Sequence, residues 1–125
     1  MILPFPPSTN GLYATSWKTK RRFKSKAYSK WSKLAEVALQ SQAKPKLIDY
    51  PIKLEIALAK PLNKDGTPTK RRMDISNRVK SLEDFLVNQN ILVDDELVHE
   101  LLVYWDKSGE FEGVRVKIEP IPPQG

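Results

Sequence analysis

The order of hydrophobic and polar positions along the chain predicts four strands. Residues 51–60 give the clearest strand, because large apolar side chains occupy every second position: Ile52, Leu54, Ile56 and Leu58. Residues 97–106 predict another strand that is almost continuously apolar, and residues 111–118 alternate again after a short turn. We predict that these last two strands form a hairpin. Residues 2–5 predict a short strand at a sheet edge, because Pro4 cannot donate to a central ladder.

Residues 26–42 predict the first helix, with Ser25 as its N-cap and Pro45 just beyond its end. Apolar side chains recur in this segment at three- and four-residue spacing. They form one stripe, which we expect to pack in the core: Ala27, Tyr28, Trp31, Leu34, Ala35 and Ala38.

The second helix is predicted within the stretch RRMDISNRVKSLEDFLVNQNILVDD, which runs from Arg71 to Asp95. Asp74 or Ser76 is the natural N-cap, because a short side-chain oxygen can accept hydrogen bonds from the first backbone N–H groups. The helix should end near residues 88–90. Its apolar face consists of Val79, Leu82, Phe85 and Leu86. Its opposite face carries Asn77, Lys80 and Asp84.

Together these elements predict a single α/β (α+β) domain over residues 1–125, in which two main helices pack on a small mixed β-sheet. The composition, 40% hydrophobic and 29% charged, is typical of a soluble globular protein. No segment approaches the roughly 18 apolar residues that a bilayer crossing requires. The N-terminus lacks the features of a signal peptide, and there is no cysteine for a disulfide or a thiolate metal site. We therefore expect a cytoplasmic protein without membrane contact.

The charge of the chain favours a polyanionic partner. Its 21 Lys and Arg residues against 15 Asp and Glu residues give a net charge of +6. The densest basic run is Lys18, Lys20, Arg21, Arg22, Lys24 and Lys26, interleaved with Trp17, Phe23 and Tyr28. A second basic cluster consists of Lys60, Lys64, Lys70, Arg71 and Arg72. Such clusters suit phosphates and unstacked bases, so binding of nucleic acid is the main hypothesis and a solvated surface is the alternative. The basic and aromatic run also suits a general single-strand binder.

Three aspartates are candidates for a metal site: Asp74, Asp94 and Asp95. Mg²⁺ prefers oxygen ligands and usually takes one or two carboxylates together with water and substrate phosphate. Lys80 is suited to hold a phosphate or to stabilise charge that develops on it. The alternative for the aspartate pair is a surface turn, and the alternative for Lys80 is a surface ion pair with Asp84. A helix of about 12 residues is roughly 18 Å long, so the chain must fold back for these groups to meet.

Several segments resemble the RusA-type Holliday-junction resolvases, small endonucleases of phage and prophage origin. PPSTN, residues 6–10, resembles the proline-proline-serine-x-asparagine opening of that family. RRMDISNRVK resembles its R-R-x-D-x-D-N-x-x-K segment, and the acidic residue that follows is matched by Asp84. ILVDD resembles the hydrophobic lead into its paired aspartate. The order and spacing of these segments agree over almost the whole chain.

The resemblance implies a RusA-like homodimer that requires Mg²⁺, or Mn²⁺, and resolves four-way junctions and other branched DNA by paired symmetric nicks in recombination and repair. By position, Asp74 and Asp95 are the implied catalytic metal ligands, and Asp94 is an adjacent ligand. Lys80 is the implied catalytic or phosphate-positioning lysine. The expected DNA contacts, taken from the motifs and the basic clusters together, are Asn10, Lys18, Lys20, Arg21, Arg22, Lys24, Lys70, Arg71, Arg72 and Asn77.

Ser76 departs from the family pattern, because the motif usually has its second aspartate at this position. A neutral hydroxyl is a weaker metal ligand than a carboxylate and removes one negative charge from the site. Two hypotheses follow. In the first, the protein is an endodeoxyribonuclease; either the three aspartates hold its metal, with Ser76 as a cap or water-mediated ligand, or its activity is reduced. In the second, the metal site is degenerate, and the protein binds branched DNA through the same basic surface without cutting it.

Overall fold

The computed structural model describes residues 1–7, 13–15, 22–24, 26–67 and 75–122, with the backbone alone for residues 13–15, 22–24 and 77. Its strands are β1 (Ile2–Leu3), β2 (Tyr13–Thr15), β3 (Arg22–Lys24), β4 (Ile52–Ala59), β5 (Val98–Asp106) and β6 (Val114–Pro120). Its helices are α1 (Lys26–Gln40) and α2 (Val79–Asn88), with 3₁₀ turns at Ser76–Arg78 and Asp95–Leu97. The predicted mixed sheet and two main helices are therefore confirmed in the described part of the chain.

The main sheet has the strand order β1-β6-β4-β5, in which β4 is parallel to β5 and antiparallel to β6. The predicted hairpin of the last two strands is wrong, because β4 lies between β5 and β6. The reason is burial: the four apolar residues of β4 are fully buried, which favours a central position with a strand on each side. The parallel β4–β5 pair requires a crossover connection, and α2 is part of that connection. The predicted edge strand near the N-terminus is confirmed as β1.

One cluster of buried residues joins both helices to the same face of the sheet. Alternate residues of β4 face the helices and are 0% exposed: Ile52, Leu54, Ile56 and Leu58. Trp31 of α1 contacts Phe85 of α2 edge-on at 5.3 Å between ring centroids, and Tyr28 packs against Trp31 at 6.0 Å. The opposite face of the sheet is polar, with ion pairs Lys117–Glu55 at 3.8 Å and Arg115–Asp106 at 3.4 Å. The architecture is thus two layers, helices on one side of a sheet.

The buried face of α1 differs from the predicted stripe. The buried residues are Tyr28, Trp31, Ala35 and Leu39, spaced by three, four and four positions. Leu34 is 55% exposed and Ala27 is also exposed. The helix turns about 100° per residue, so the face that contains Ala35 excludes its neighbour Leu34. The predicted N-cap, Ser25, lies outside the described residues.

Several backbone contacts anchor the N-terminal segment to the sheet and to α1. The amino group of Met1 donates to the Val116 carbonyl at 2.9 Å, and Gln42 pairs with both the N–H and the carbonyl of Ile2 at 2.7 and 2.6 Å. Gly113 has φ +85°, and a Cβ there would collide with the carbonyl oxygen of Leu3. Glycine is therefore required at this position, because β1 crosses close to the backbone.

The short strands β2 and β3 pair antiparallel, with Ala14 opposite Phe23. Strand β2 covers Tyr13–Thr15, and β3, Arg22–Lys24, lies within the densest basic run. None of the helices in the described ranges combines the length and apolarity that a bilayer crossing needs.

Candidate functional site

Lys80 links α2 to the acidic segment that follows the helix, which consists of Asp94, Asp95 and Glu96. Its ammonium donates to Asp95 Oδ2 at 2.8 Å and lies 3.2 Å from Asp84 Oδ1, one helical turn further along α2. The predicted polar face of the helix is therefore confirmed for Lys80 and Asp84. The Lys80 side chain is 42% exposed, so a phosphate can reach it from solvent.

The chain after α2 folds back, as a shared site requires. Asn90 takes the left-handed conformation at φ +59°, which ends the helix where it was predicted to end. Ile91 and Leu92 are then buried, at 0% and 1% exposure, and Leu92 forms a parallel bridge with Ile48. Because these apolar residues must enter the core, the two aspartates that follow are brought back beside the helix.

The two aspartates have different roles in the local structure. Asp94 is exposed and caps the 3₁₀ turn, since its Oδ1 accepts from the Glu96 N–H at 3.1 Å. Asp95 faces Lys80. The hydrogen bond from Lys80 and the adjacent Asp94 side chain lower the pKa of Asp95 below its ordinary value. In return Asp95, with a smaller contribution from Asp84, raises the pKa of Lys80. The pair is therefore fully ionised at neutral pH.

Glu83 is a further acidic side chain at this site that the sequence did not single out. It is partly buried, and this burial raises its pKa, with smaller contributions from the negative charges of Asp95 and Asp84 and an opposing effect of Lys80. The sequence could have indicated Glu83 by its position three residues after Lys80 on a predicted helix, because such residues are neighbours on the helix surface.

The start of the helix differs in detail from the prediction. Ser76 is the first residue of a 3₁₀ turn that precedes α2, and the N-cap position of that turn is occupied by Ile75. The prediction of Ser76 as N-cap is therefore wrong. Asp74 lies outside the described residues, one peptide bond before Ile75, and the side chain of Asn77 is also not described.

The N-terminal segment contacts the same end of α2. Arg78 donates through Nη1 to the Pro6 carbonyl at 2.9 Å, and the buried Ser81 hydroxyl donates to the Pro7 carbonyl at 3.1 Å. The next residues in the chain are Ser8, Thr9 and Asn10, which complete the PPSTN motif. Two motifs that are about 65 residues apart in the sequence thus meet at the start of α2.

The donor groups fit a hard divalent cation. Within the part of the chain that the structure describes, no three His, Asp or Glu side chains converge as a complete metal site. Asp94 and Asp95, however, present adjacent carboxylates at an accessible position. In the sequence, Asp74 comes shortly before the 3₁₀ turn that leads into α2. Oxygen donors of this type suit Mg²⁺, which needs only one or two carboxylates from the protein.

Most of the predicted DNA-contacting side chains lie outside the described residues. Asn10, Lys18, Lys20, Arg21, Lys70, Arg71 and Arg72 are among those, and Arg22 and Lys24 are described only as backbone of β3. From the second basic cluster, Lys60 lies over the ring of Trp105, 5.4 Å from its centroid, and Lys64 is exposed.

Comparisons with known proteins show which family the chain resembles. The family described as endodeoxyribonuclease RusA matches residues 4–119. A protein of Aquifex aeolicus (strain VF5) named crossover junction endodeoxyribonuclease RusA is 30% identical over 118 residues, which cover 94% of this chain and 86% of the relative. The family match includes residues 4–7, α2 and the two aspartates that follow it.

Proposed function

Because the chain belongs to the RusA family of endodeoxyribonucleases, we propose that it resolves Holliday junctions and related branched DNA by paired symmetric nicks that depend on Mg²⁺. The observation that carries this proposal is the contact of Lys80 with Asp95 at 2.8 Å. These are two of the three positions to which the family resemblance assigns catalysis, the third being Asp74, and they are 15 residues apart in the chain. Their contact supports a common site built from both motifs.

The proposed metal ligands are Asp74, Asp94 and Asp95. A bound Mg²⁺ would polarise a phosphoryl oxygen, lower the pKa of a water and offset charge on the leaving oxygen. The protein's contribution is to hold carboxylates in place. Asp94 is held by its cap of the 3₁₀ turn, and Asp95 is held by its contact with Lys80. In the reaction, water adds to phosphorus, the phosphodiester P–O bond breaks, and the leaving oxygen takes a proton.

Lys80 is the proposed phosphate-positioning residue. An ammonium has three N–H donors, and Asp95 and Asp84 engage two of them. Among the described residues no partner takes the third donor, which can therefore bind an oxygen of the scissile phosphate. Since the pKa of Lys80 is raised, the side chain acts as a fixed cation and not as a base. It therefore stabilises the negative charge that grows on the phosphoryl oxygens in the transition state.

A labelled four-way junction tests this function most directly. With Mg²⁺ we expect two nicked duplex products, with cuts placed symmetrically about the crossover, whereas a linear duplex of the same sequence stays intact. With EDTA we expect a shifted but uncut junction. Binding without cleavage at any Mg²⁺ or Mn²⁺ concentration would instead support the non-catalytic branched-DNA-binding protein, which the serine at position 76 favours.

Ser76→Asp separates these two functions. If the site is weakened by the absence of a second motif carboxylate, this change restores a charged oxygen ligand. We expect the Mg²⁺ concentration for half-maximal cleavage to fall by about 10-fold, on the scale that ligand-shell changes have on metal affinity. A metal titration of cleavage measures it, with Ser76→Asn as the uncharged control of similar size. A loss of cleavage in Ser76→Asp alone would show that the site is built around the hydroxyl.

The first basic run is proposed to contact phosphates outside the site. Replacement of Lys20, Arg21 and Arg22 by alanine should weaken binding to branched and linear DNA alike. Each lost phosphate contact should reduce the log–log dependence of affinity on salt by about 0.9 on duplex arms. Gel-shift titrations at several salt concentrations measure this slope. A slope equal to that of the parent protein would remove the run from the interface.

We further propose that the protein acts as a two-fold symmetric homodimer, because paired nicks need two equivalent sites and two-fold dimers are the commonest homo-oligomers. The edge position of β5 supports an interface on this strand, since Leu101 and Leu102 are 48% and 42% exposed. Light scattering at micromolar concentration should give twice the chain mass of 14.3 kDa. A particle of one chain mass, both free and on a junction, would exclude the dimer.

A further inference from the structure

An open groove lies at the end of the sheet where the parallel strands β4 and β5 finish. Ala59 and Asp106, the last residues of these strands, line it together with β1 and the loop before β6. We call it the strand-end groove. Its volume is about 1390 Å³, above the roughly 300–1,000 Å³ of a small-molecule pocket. Ligands of open α/β sheets bind beyond the carboxyl ends of the strands. The groove therefore has the position of a binding site and room for part of a polymer.

Three aromatic side chains line the strand-end groove: Phe5, Trp105 and Phe111. Phe5 stacks on Trp105 at 6.1 Å between ring centroids, with an interplanar angle of 11°. All three residues are partly buried, so each keeps some accessible surface. Nucleobases stack on such rings whatever their sequence, because every base has a π-face. The chemistry of the groove therefore fits an unstacked base.

Lys60 lies over the ring of Trp105. Its ammonium is 5.4 Å from the ring centroid, and the residue is exposed. An exposed cation–π contact is weak, so a base can replace the lysine on the ring. The displaced ammonium then stands beside the phosphate of the same nucleotide. Trp105 and Lys60 thus match the two parts that every nucleotide has, a base and an anion.

Positive charge prevails around the strand-end groove. Lys60 and Lys107 line it against Asp106 and Glu112. Arg115 forms an ion pair with Asp106 at 3.4 Å and so offsets one of the two carboxylates. The charge that remains is complementary to a phosphate backbone.

Phe5 joins the strand-end groove to the proposed site. The guanidinium carbon of Arg78 is 5.2 Å from the ring centroid of Phe5, and Arg78 stands two residues before Lys80. Bases that are unpaired or mismatched leave their stack at the lowest cost. Resting on the function proposed above, we propose that the strand-end groove binds an unpaired base of the branched DNA, stacked on Trp105, with its phosphate on Lys60.

A labelled single-stranded oligothymidylate of about six nucleotides is the probe, since its bases are unpaired and its length is within the range of one single-strand site. Fluorescence anisotropy in EDTA measures its affinity without cleavage. For Trp105→Leu we expect the affinity to fall about 5- to 100-fold, the scale of one lost stacking contact. Trp105→Phe keeps a ring and should stay within about 3-fold of the parent protein. Parental affinity in Trp105→Leu would overturn the proposal.

Tyr104→Leu is the matched control. Tyr104 precedes Trp105 on β5 but faces the polar side of the sheet, where its hydroxyl donates to Glu55 at 3.4 Å. We expect its affinity for the oligonucleotide to stay within about 2-fold of the parent value. Equal losses in Trp105→Leu and Tyr104→Leu would also overturn the proposal, since both changes would then act through the stability of β5.

A blunt linear duplex distinguishes a base contact from a backbone contact. Its bases are paired and stacked, so Trp105→Leu should change duplex affinity by less than about 2-fold. A loss on the duplex as large as the loss on the single strand would contradict stacking. Lys60→Ala should reduce the log–log salt dependence on the single strand by about 0.7, the value for one phosphate contact. An unchanged salt dependence would contradict the phosphate contact of Lys60.

A second copy of the chain is the competing occupant of the strand-end groove. A dimer that Trp105→Leu converts to monomers in light scattering, with parental affinity for the oligonucleotide, would assign the groove to that copy and overturn the proposal. Binding in EDTA does not depend on cleavage. The groove is therefore tested even if the parent protein cuts no junction, and a parent that cuts junctions while Trp105→Leu keeps full affinity leaves the proposed function standing without the groove.

Discussion

We expect Asp95→Asn to remove junction cleavage and to leave junction binding intact. The amide has nearly the shape of the carboxylate and its oxygen can still accept the hydrogen bond from Lys80, which is 2.8 Å long in the parent protein. The contact between α2 and the acidic segment is therefore retained. The change removes the negative charge of the Asp95 carboxylate, which would hold a divalent cation. It also reduces the repulsion between this side chain and the DNA phosphates.

The expected loss of rate is at least about 100-fold, comparable to the removal of one strong electrostatic contributor to a transition state. Single-turnover cleavage of a labelled four-way junction in Mg²⁺ measures the rate, and a gel shift in EDTA measures binding. Asp74→Asn should behave in the same way, and Asp94→Asn should be at least impaired. Glu96→Gln is the matched control, because Glu96 is an exposed acidic residue next to Asp95 that is not a proposed ligand. Cleavage by Asp95→Asn at the parental rate would mean that the proposed ligand set is wrong.

Phe85→Ala has the largest expected effect on stability. Phe85 is 0% exposed and contacts Trp31 across the interface between the two helices at 5.3 Å between ring centroids. Truncation leaves a cavity between two rigid elements and removes an aromatic contact. Phenylalanine-to-alanine changes in cores cost about 3–5 kcal/mol in the free energy of unfolding, which is a large part of the stability of a domain of this size.

Urea unfolding followed by tryptophan fluorescence measures the loss, and Leu34→Ala serves as the control. Leu34 is on α1 and is also a large apolar residue, but 55% of it is exposed. Its replacement should therefore change the free energy of unfolding by no more than about 0.5 kcal/mol. A loss of several kcal/mol in Leu34→Ala would indicate that this face of α1 is covered.

The contrast between Phe85 and Leu34 shows where periodic patterns succeed. The predicted apolar face of α2 is confirmed, with Val79, Leu82, Phe85 and Leu86 all buried. In α1 the apolar residues outnumber the positions of one face. The spacing of three and four residues therefore placed both Leu34 and Ala35 on the predicted buried stripe, although only Ala35 is buried. Which of two adjacent apolar residues turns inward depends on the neighbouring element, and the helix sequence does not contain that information.

The order of the strands in the sheet, like the buried face of α1, depends on neighbouring elements. The alternation in β4 predicted correctly which residues face the helices. The apolar character of β5 and the turn after it predicted a hairpin with β6, but β4 separates the two. A period of two residues identifies the buried face of a strand and contains no information about its partners. The pairing is decided by which strand gains most from a central position, and that strand is β4.

The sequence by itself determined the elements, the basic character, the single acidic-basic stretch around α2 and the family. Each of these is a property of contiguous residues, because propensity, periodicity and charge act within a turn of helix or a length of strand. The family resemblance also singled out Asp74, Asp95 and Lys80 as candidate catalytic residues.

Only the tertiary structure decided that Lys80 and Asp95 touch, that Glu83 lies beside them, and that Arg78 ties the N-terminal segment to the start of α2. The Lys80–Asp95 and Arg78–Pro6 contacts join residues that are 15 and 72 positions apart in the chain, and their geometry depends on burial elsewhere. Ile91 and Leu92 enter the core and pair with Ile48, and this burial returns the chain to the helix. The free energy that assembles the site therefore comes from apolar residues that take no part in its chemistry.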